Sequence, residues 1–254
     1  MVLAIETHQL CRRFGDVLAV DHLDLAVEAG TFYGFLGTNG AGKSTTIKML
    51  TGLLSPTAGE IRVLGHNMLD PKESLAAKKS IGVIPESLAL FDNLTARDYL
   101  TFVGRIHGIE RLEVRRRSME LMELLDLDYA SRTIAIEFSH GMRKKLSLAA
   151  ALLPNPKLLF LDEPFEGVDA VASKTIRDLL QQFITKGGTV FLTSHILEIV
   201  QRLCTHVGII TKGNLVLSQT LESLTEQESL ETAFMNAVGG GQAEISNKLD
   251  WLAK

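Results

Sequence analysis

The chain has 254 residues, of which 46% are apolar and 22% are charged, and its formal net charge is −4. This is the composition of an ordinary folded globule, and the mild negative charge argues against a chain that binds polyanions over its whole surface. No apolar run reaches the length of about 18 residues needed to cross a bilayer, and the run at residues 2–5 is too short for a secretory signal, so we expect a cytoplasmic protein.

Short apolar runs that stop at polar residues or glycine predict the strands of a parallel sheet. Such runs lie at residues 31–37, 80–86, 157–164 and 188–195. They do not alternate between apolar and polar residues, which is typical of strands covered on both faces. Residues 207–219 follow them and predict a hairpin with its turn at Lys212, Gly213 and Asn214.

Helical spacing replaces the strand signals between about residues 87 and 153. We therefore predict a helical subdomain inserted into an α/β core, which comprises residues 1–86 and 154–219.

A C-terminal helical tail is predicted over residues 220–254. Its two helical stretches are separated by three glycines at positions 239–241. In the second stretch Ile245, Leu249 and Leu252 share one helical face, which suits docking on the chain's own core or on a partner.

Residues 37–44 read GTNGAGKS and match the phosphate-loop pattern G-x-x-x-x-G-K-S/T. The glycines let the backbone approach phosphates without an intervening Cβ, and successive N–H groups form an anion-binding nest at a helix start. Lys43 supplies a charge for the β- and γ-phosphates, and Ser44 supplies a hydroxyl for Mg²⁺. The predicted nucleotide-binding residues here are Gly37, Thr38, Asn39, Gly40, Ala41, Gly42, Lys43, Ser44, Thr45 and Thr46.

A phosphate loop alone does not distinguish ATP from GTP. Residues 247–250 read NKLD and match the guanine-reading pattern N-K-x-D. They lie beyond the glycine break, however, no apolar strand leads into them, and no D-x-x-G follows the phosphate loop. The sequence therefore favours ATP.

Polar residues follow two of the predicted strands. Asp162 and Glu163 come directly after the run LLFL, and His195 ends the run TVFLTSH. The carboxyl edge of a parallel sheet is where ligands bind in open α/β folds. There Asp162 can hold Mg²⁺, Glu163 can activate a water beside the γ-phosphate, and His195 can contact that phosphate.

Residues 137–153, EFSHGMRKKLSLAAALL, predict a helix that Gly141 opens and Ser139 caps. A helix start with exposed N–H groups is a second anion site. In order and spacing, the motifs now resemble the ATP-binding subunit of ABC transporters, in which Walker A, Q-loop, signature, Walker B, D-loop and H-loop follow one another. The resemblance covers about residues 3–218, and it points to the export-type group.

This resemblance implies a fold and a dimer. The fold is α/β: a RecA-like P-loop core with a mainly parallel sheet, an antiparallel β part at the N-terminus and the inserted helical subdomain, together forming an ATPase domain over residues 1–219. In the family the signature of one subunit covers ATP bound to the other, so two nucleotides lie between two subunits arranged head to tail.

The resemblance also implies roles for individual residues. Lys43, Glu86, Glu163 and His195 are the catalytic residues, and Ser44, Glu86 and Asp162 hold Mg²⁺. Phe14 stacks on adenine, Ser139 and Gly141 form the signature contact, and Asp169 belongs to the D-loop.

Four positions depart from the family pattern. Thr38 stands where proline is common, a change that we expect to be harmless. His140 stands for the first glycine of the signature, Met142 stands for its glutamine, and Glu86 stands for the Q-loop glutamine. The retained Ser139 and Gly141 preserve the phosphate contact, and a carboxylate at 86 still ligates Mg²⁺ while adding negative charge near the γ-phosphate.

The partners implied are a second ATP-binding subunit and a separate integral membrane permease, which places the chain on the cytoplasmic face of the membrane. Residues 87–109 resemble export-type ATPases. The alternative is a soluble ATPase of the same type that has no permease. The arginines at 115–117 are followed by Glu120 and Glu123, a pattern typical of a solvated helix face, so we expect no contact with nucleic acid.

Overall fold

Two β-sheets of different kinds organise the computed structural model, which describes residues 2–239. The strands are β1 (Leu3–Phe14), β2 (Val17–Glu28), β3 (Phe32–Leu36), β4 (Ala58–Val63), β5 (His66–Asn67), β6 (Ile81–Ile84), β7 (Leu158–Asp162), β8 (Thr189–Ser194), β9 (His206–Thr211) and β10 (Asn214–Thr220). The first sheet is antiparallel in the order β2-β1-β4-β5. The second has the order β10-β9-β3-β8-β7-β6, in which only β10 runs antiparallel to its neighbour.

Helices flank and connect these strands. They are α1 (Lys43–Leu50), α2 (Pro71–Lys78), α3 (Ala96–Ile106), α4 (Arg111–Leu124), α5 (His140–Leu152), α6 (Ala170–Thr185), α7 (Leu197–Leu203), α8 (Leu221–Gln227) and α9 (Leu230–Ala237). Within residues 2–239, none of the helices combines the length and the apolarity that crossing a bilayer requires.

The central strands confirm the prediction from the unbroken apolar runs that these strands are covered on both faces. Every residue of β3, β7 and β8 is buried, because helices or the other sheet cover both faces. The predicted hairpin is also confirmed, since β9 and β10 pair as antiparallel neighbours around the turn at Lys212 and Gly213.

Residues 87–153 contain α3, α4 and α5, together with two short 3-10 turns. Their apolar side chains are continuous with the core of the parallel sheet: one buried cluster contains Leu100 of α3 and Met122 of α4 together with Leu159 of β7 and Leu192 of β8. This part of the chain differs from the rest in secondary structure and yet shares its core.

The tail differs from the prediction. Two helices, α8 and α9, already lie before Gly239, and the break between them falls at Glu228 and Ser229. The cause is local, because the Ser229 hydroxyl accepts a hydrogen bond from the Thr232 N–H and so caps a new helix. The second predicted stretch, with Ile245, Leu249, Leu252 and the NKLD residues, lies outside the described residues.

The sheet register brings the predicted strand ends together. Leu36, the last residue of β3, pairs with Ser194 of β8, and Asp162 of β7 pairs with Thr193 of β8. The loop after β3, the acidic pair after β7 and the histidine after β8 therefore meet at one edge of the parallel sheet.

Candidate nucleotide-binding site

The loop after β3 needs glycine at two of its turns. Gly40 and Gly42 have φ angles of 79° and 110°, values that residues with a Cβ rarely adopt. A Cβ on Gly42 would also lie 2.5 Å from the carbonyl oxygen of Ala19. The backbone can therefore take this path into α1 only with glycine at position 42.

Lys43 begins α1, and its side chain turns back into the loop. The residue is buried, with 6% of its surface exposed. Its Nζ donates hydrogen bonds to the carbonyl oxygens of Gly37 (2.8 Å) and Thr38 (3.3 Å). The ammonium group is thereby fixed beneath the loop whose N–H groups form the predicted phosphate nest.

The carboxylate of Glu163 lies between two of the predicted catalytic groups. Its Oε1 is 3.3 Å from Lys43 Nζ, and its Oε2 is 3.1 Å from His195 Nδ1. The lysine contact is an ion pair without hydrogen-bond geometry, so the buried Oε1 receives no hydrogen bond within the described part of the chain. A carboxylate oxygen that is buried and still able to accept suits a group that takes a proton from water.

A threonine links Glu163 to its neighbour Asp162. The Thr193 hydroxyl donates to Asp162 Oδ1 at 2.5 Å and accepts from the Glu163 N–H at 3.1 Å. Glu163 itself has a φ of 47°, a left-handed conformation that costs a non-glycine residue about 1–2 kcal/mol. The surrounding hydrogen bonds hold the backbone in this conformation and so fix the direction of the carboxylate.

Three side chains supply oxygen atoms of the kind that Mg²⁺ prefers. The Ser44 hydroxyl donates to Glu86 Oε2 at 3.3 Å, which brings Glu86, two residues beyond β6, to the start of α1. Asp162 is 2% exposed. Ser44 and Glu86 line a cleft of about 220 Å³ in front of the phosphate loop. Asp162 does not line this cleft, and its Oδ1 accepts a hydrogen bond from Thr193. The hydroxyl and carboxylate oxygens of these three residues are of a kind that fits the ion.

The side chain of Thr46 lies inside the phosphate loop and does not line the cleft. Thr46 is fully buried, and its hydroxyl donates to the carbonyl oxygen of Gly42 at 2.9 Å. The side chain therefore stabilises the start of α1 from inside, because its only polar atom is committed to the loop backbone.

Phe14 lies at the end of β1, is 45% exposed, and is absent from the residues that line the cleft. The guanidinium carbon of Arg12 lies 4.4 Å from the centre of its ring. One face of the ring is therefore covered by a cation–π contact from the same strand.

The predicted signature residues and the predicted D-loop residue lie close to one another, and none of them lines the cleft in front of the phosphate loop. Ser139 caps α5 as expected, accepting from the Met142 N–H at 3.2 Å, and the helix begins one residue before Gly141. Asp169 caps α6, with Oδ1 2.9 Å from the Val171 and Ala172 nitrogens. The N–H groups of Ala172 and Val171 lower the pKa of Asp169 below its usual value.

Sequence reasoning missed three residues that contact this machinery. Thr193 joins Asp162 to Glu163, Lys144 donates to the Glu163 carbonyl, and Glu166 lines the cleft. Two of these residues could have been found from their positions in the sequence. Thr193 stands two residues before His195 on a buried strand, and Lys144 stands one helical turn after the predicted signature residue Gly141.

A phosphate loop, a Lys–Glu–His cluster at the carboxyl edge of a parallel sheet and a set of Mg²⁺-type ligands together define a P-loop nucleoside triphosphatase. The sequence matches the family described as ABC transporter over residues 20–166.

Curated relatives agree with this match. The bacitracin transport ATP-binding protein BcrA of Bacillus licheniformis is 40% identical over 217 residues, which are 85% of this chain and 69% of the relative. The linearmycin resistance ATP-binding protein LnrL of Bacillus subtilis is 34% identical over 236 residues, 93% of this chain and 75% of the relative.

A solved structure of the ATP-binding subunit of an ABC transporter has a TM-score of 0.85 and 28% identity, covering 92% of this chain and 98% of that chain. The chain belongs to the ABC transporter family, as one of its ATP-binding, ATP-hydrolysing subunits. This confirms the resemblance and the fold class that the sequence predicted.

Proposed function

We propose that the chain hydrolyses ATP within a head-to-tail dimer and thereby drives export through a separate integral membrane permease, at the cytoplasmic face of the membrane. In the proposed site Lys43 and the loop N–H groups hold the β- and γ-phosphates, Ser44, Glu86 and Asp162 hold Mg²⁺, and Phe14 stacks on adenine. When bound, Mg²⁺ neutralises charge that develops on the phosphates.

Glu163 is the proposed general base. Its carboxylate takes a proton from the attacking water, while Lys43 on one side and His195 on the other fix its orientation. The observation that carries this proposal is the position of one buried carboxylate between those two groups, at 3.3 Å and 3.1 Å.

The position of the signature supports the proposed dimer. Ser139 and Gly141 do not line the cleft of their own chain, and in the proposed dimer their helix end faces the nucleotide of the other subunit. In the closed dimer the γ-phosphate bridges Lys43 of one subunit and the helix start of the other. Hydrolysis removes that bridge, and the difference in affinity between the two states drives opening.

An exposed aromatic surface supports a protein partner. Phe91 and Phe102 are 52% and 41% exposed and pack edge to face with ring centres 5.1 Å apart. They border the region after Glu86, where a second cleft of about 400 Å³ is lined by Pro85, Leu90 and Tyr99. Exposed apolar surface of this kind marks an interaction site. The names of BcrA and LnrL, which refer to bacitracin transport and linearmycin resistance, support export as the direction.

The test of the base is Glu163→Gln. We expect ATP turnover to fall by about 100-fold or more, while ATP binding persists and a stable dimer accumulates in size-exclusion chromatography. Full turnover by this variant would contradict the role of Glu163.

The permease is tested by purifying the tagged chain from native membranes and identifying the integral membrane protein that accompanies it. Phe102→Asp should weaken that association without changing turnover by the isolated subunit. Recovery of the chain with ribosomes and without any membrane protein would favour the soluble alternative.

A further inference from the structure

Lys144 is a buried cation that the proposed reaction does not use. It is 2% exposed, and its Nζ donates a hydrogen bond to the backbone carbonyl oxygen of Glu163 at 2.9 Å. Burial lowers the pKa of Lys144, and the nearby carboxylates of Glu166 and Asp162 oppose that change. A buried ammonium group is costly unless charges and hydrogen bonds compensate it, and here its hydrogen-bond partner is the backbone of the proposed base.

The backbone N–H and the backbone carbonyl of Glu163 both form hydrogen bonds with side chains. The N–H is held by Thr193 of β8, and the carbonyl is held by Lys144 of α5. Between them the residue keeps its left-handed φ of 47°. Since an unsupported L-residue leaves that conformation readily, the direction of the carboxylate depends on both attachments.

A second contact comes from His140, one of the residues that depart from the family pattern. His140 Nε2 lies 3.2 Å from the carbonyl oxygen of Glu166. A carbonyl only accepts, so Nε2 carries the hydrogen. His140 and Lys144 are four residues apart and therefore share one face of α5.

We propose that Lys144 and His140 connect the signature helix to the backbone of residues 163–166, so that the position of the base at one nucleotide depends on the contact of Ser139 and Gly141 with the nucleotide of the partner subunit. The inference rests on the proposed function, because it takes Glu163 as the base. The connecting element is one rigid helix end: α5 carries the signature at its first turn and Lys144 one turn further along. Lys144 acts as a positioning residue.

The test compares Lys144→Met with Lys144→Arg in the full-length chain. We expect Lys144→Met to lower kcat about tenfold or more and to leave the affinity for a fluorescent ATP analogue within about twofold, because Lys144 does not line the cleft. Amide hydrogen exchange at residues 163–168 of the nucleotide-free subunit should accelerate. Lys144→Arg keeps a donor at this position and should recover part of both losses.

Lys145→Met is the matched control, since Lys145 is also buried on α5 and makes no hydrogen bond to Glu163 or Glu166 within the described part of the chain. Hydrogen exchange at residues 163–168 should stay at its wild-type rate in this variant. His140→Ala, at an exposed position, should accelerate exchange around Glu166 and reduce the Hill coefficient for ATP.

The outcomes separate the two proposals. Adding Lys144→Met to Glu163→Gln should cause no further fall in turnover, because Lys144 acts through Glu163. If Glu163→Gln abolishes turnover while Lys144→Met keeps wild-type kcat and exchange, the connection is wrong and the proposed function stands. If Lys144→Met accelerates exchange throughout the chain and lowers affinity as much as kcat, its role is structural only and the inference fails. Full turnover by Glu163→Gln would remove both proposals.

Discussion

The Nδ1 atom of His195 lies 3.1 Å from Oε2 of Glu163. A carboxylate oxygen accepts hydrogen bonds, so Nδ1 carries the hydrogen of this contact. We expect His195→Ala to lower ATP turnover by about 100-fold, measured as phosphate release, because the base loses one of its two orienting groups. His8→Ala is the control: His8 also pairs with a carboxylate, that of Glu6 at 3.2 Å, but away from the cleft, and it should keep wild-type turnover.

Thr193→Val removes the hydroxyl that serves both Asp162 and the Glu163 N–H. We expect a loss of about 1–3 kcal/mol in the free energy of unfolding, because two buried polar groups lose their partner. Urea denaturation measures this loss. Thr185→Val changes an exposed threonine in the same way and should stay within about 0.5 kcal/mol of the wild type. Equal stability of the two variants would contradict the bonding described for Thr193.

Gly104 gives α3 its close approach to α4. A Cβ at this position would lie 2.5 Å, 2.8 Å and 3.2 Å from three side-chain atoms of Val114. Gly104→Ala should therefore lower the free energy of unfolding by about 1–3 kcal/mol. In Gly104→Ala/Val114→Ala the new methyl group takes space that Val114 has vacated, so the loss should be smaller than the sum of the single losses. Strict additivity in urea denaturation would count against this contact.

Because of Tyr33, we expect the free energy of unfolding to depend on pH in the alkaline range. Burial raises the pKa of its phenol from 10.0 to about 12, and the hydrogen bond with Ser218 opposes that change. Between these values the unfolded chain releases the proton while the folded chain keeps it, so stability falls as the pH rises. Tyr33→Phe should lose less stability than the wild type across this window, in urea titrations followed by circular dichroism. Tyr129→Phe, at a position 70% exposed, should follow the wild type.

The sequence predicted the parts of the site that depend on local pattern. The phosphate loop needs glycine at positions where φ is positive, as Gly40 and Gly42 show. Because few other residue types adopt this conformation, the loop can be recognised from its glycines in the sequence. The strand ends at Asp162 and His195 follow from unbroken apolar runs, because parallel strands of a covered sheet share one edge.

The parts that escaped prediction depend on contacts between distant positions. Lys144 meets Glu163 across 19 positions, and Thr193 meets Asp162 across 31. Which side chain reaches which backbone atom is decided by how α5, β7 and β8 pack, and neither spacing nor composition contains that information. Helix α2 is different, because Asp70 caps it and Pro71 opens it; this local signal was present in the sequence.

The cation–π contact between Arg12 and Phe14 has a consequence for the choice of substrate. Because the guanidinium group covers one face of the ring, the stacking that we propose for Phe14 uses the opposite face. Stacking is a contact that every purine can make, since it reads the flat surface of a base and none of its edge atoms. Discrimination between adenine and guanine should therefore be weak in this subunit, and the hydrolysis rates of ATP and GTP, compared at saturating concentrations, should be of similar size.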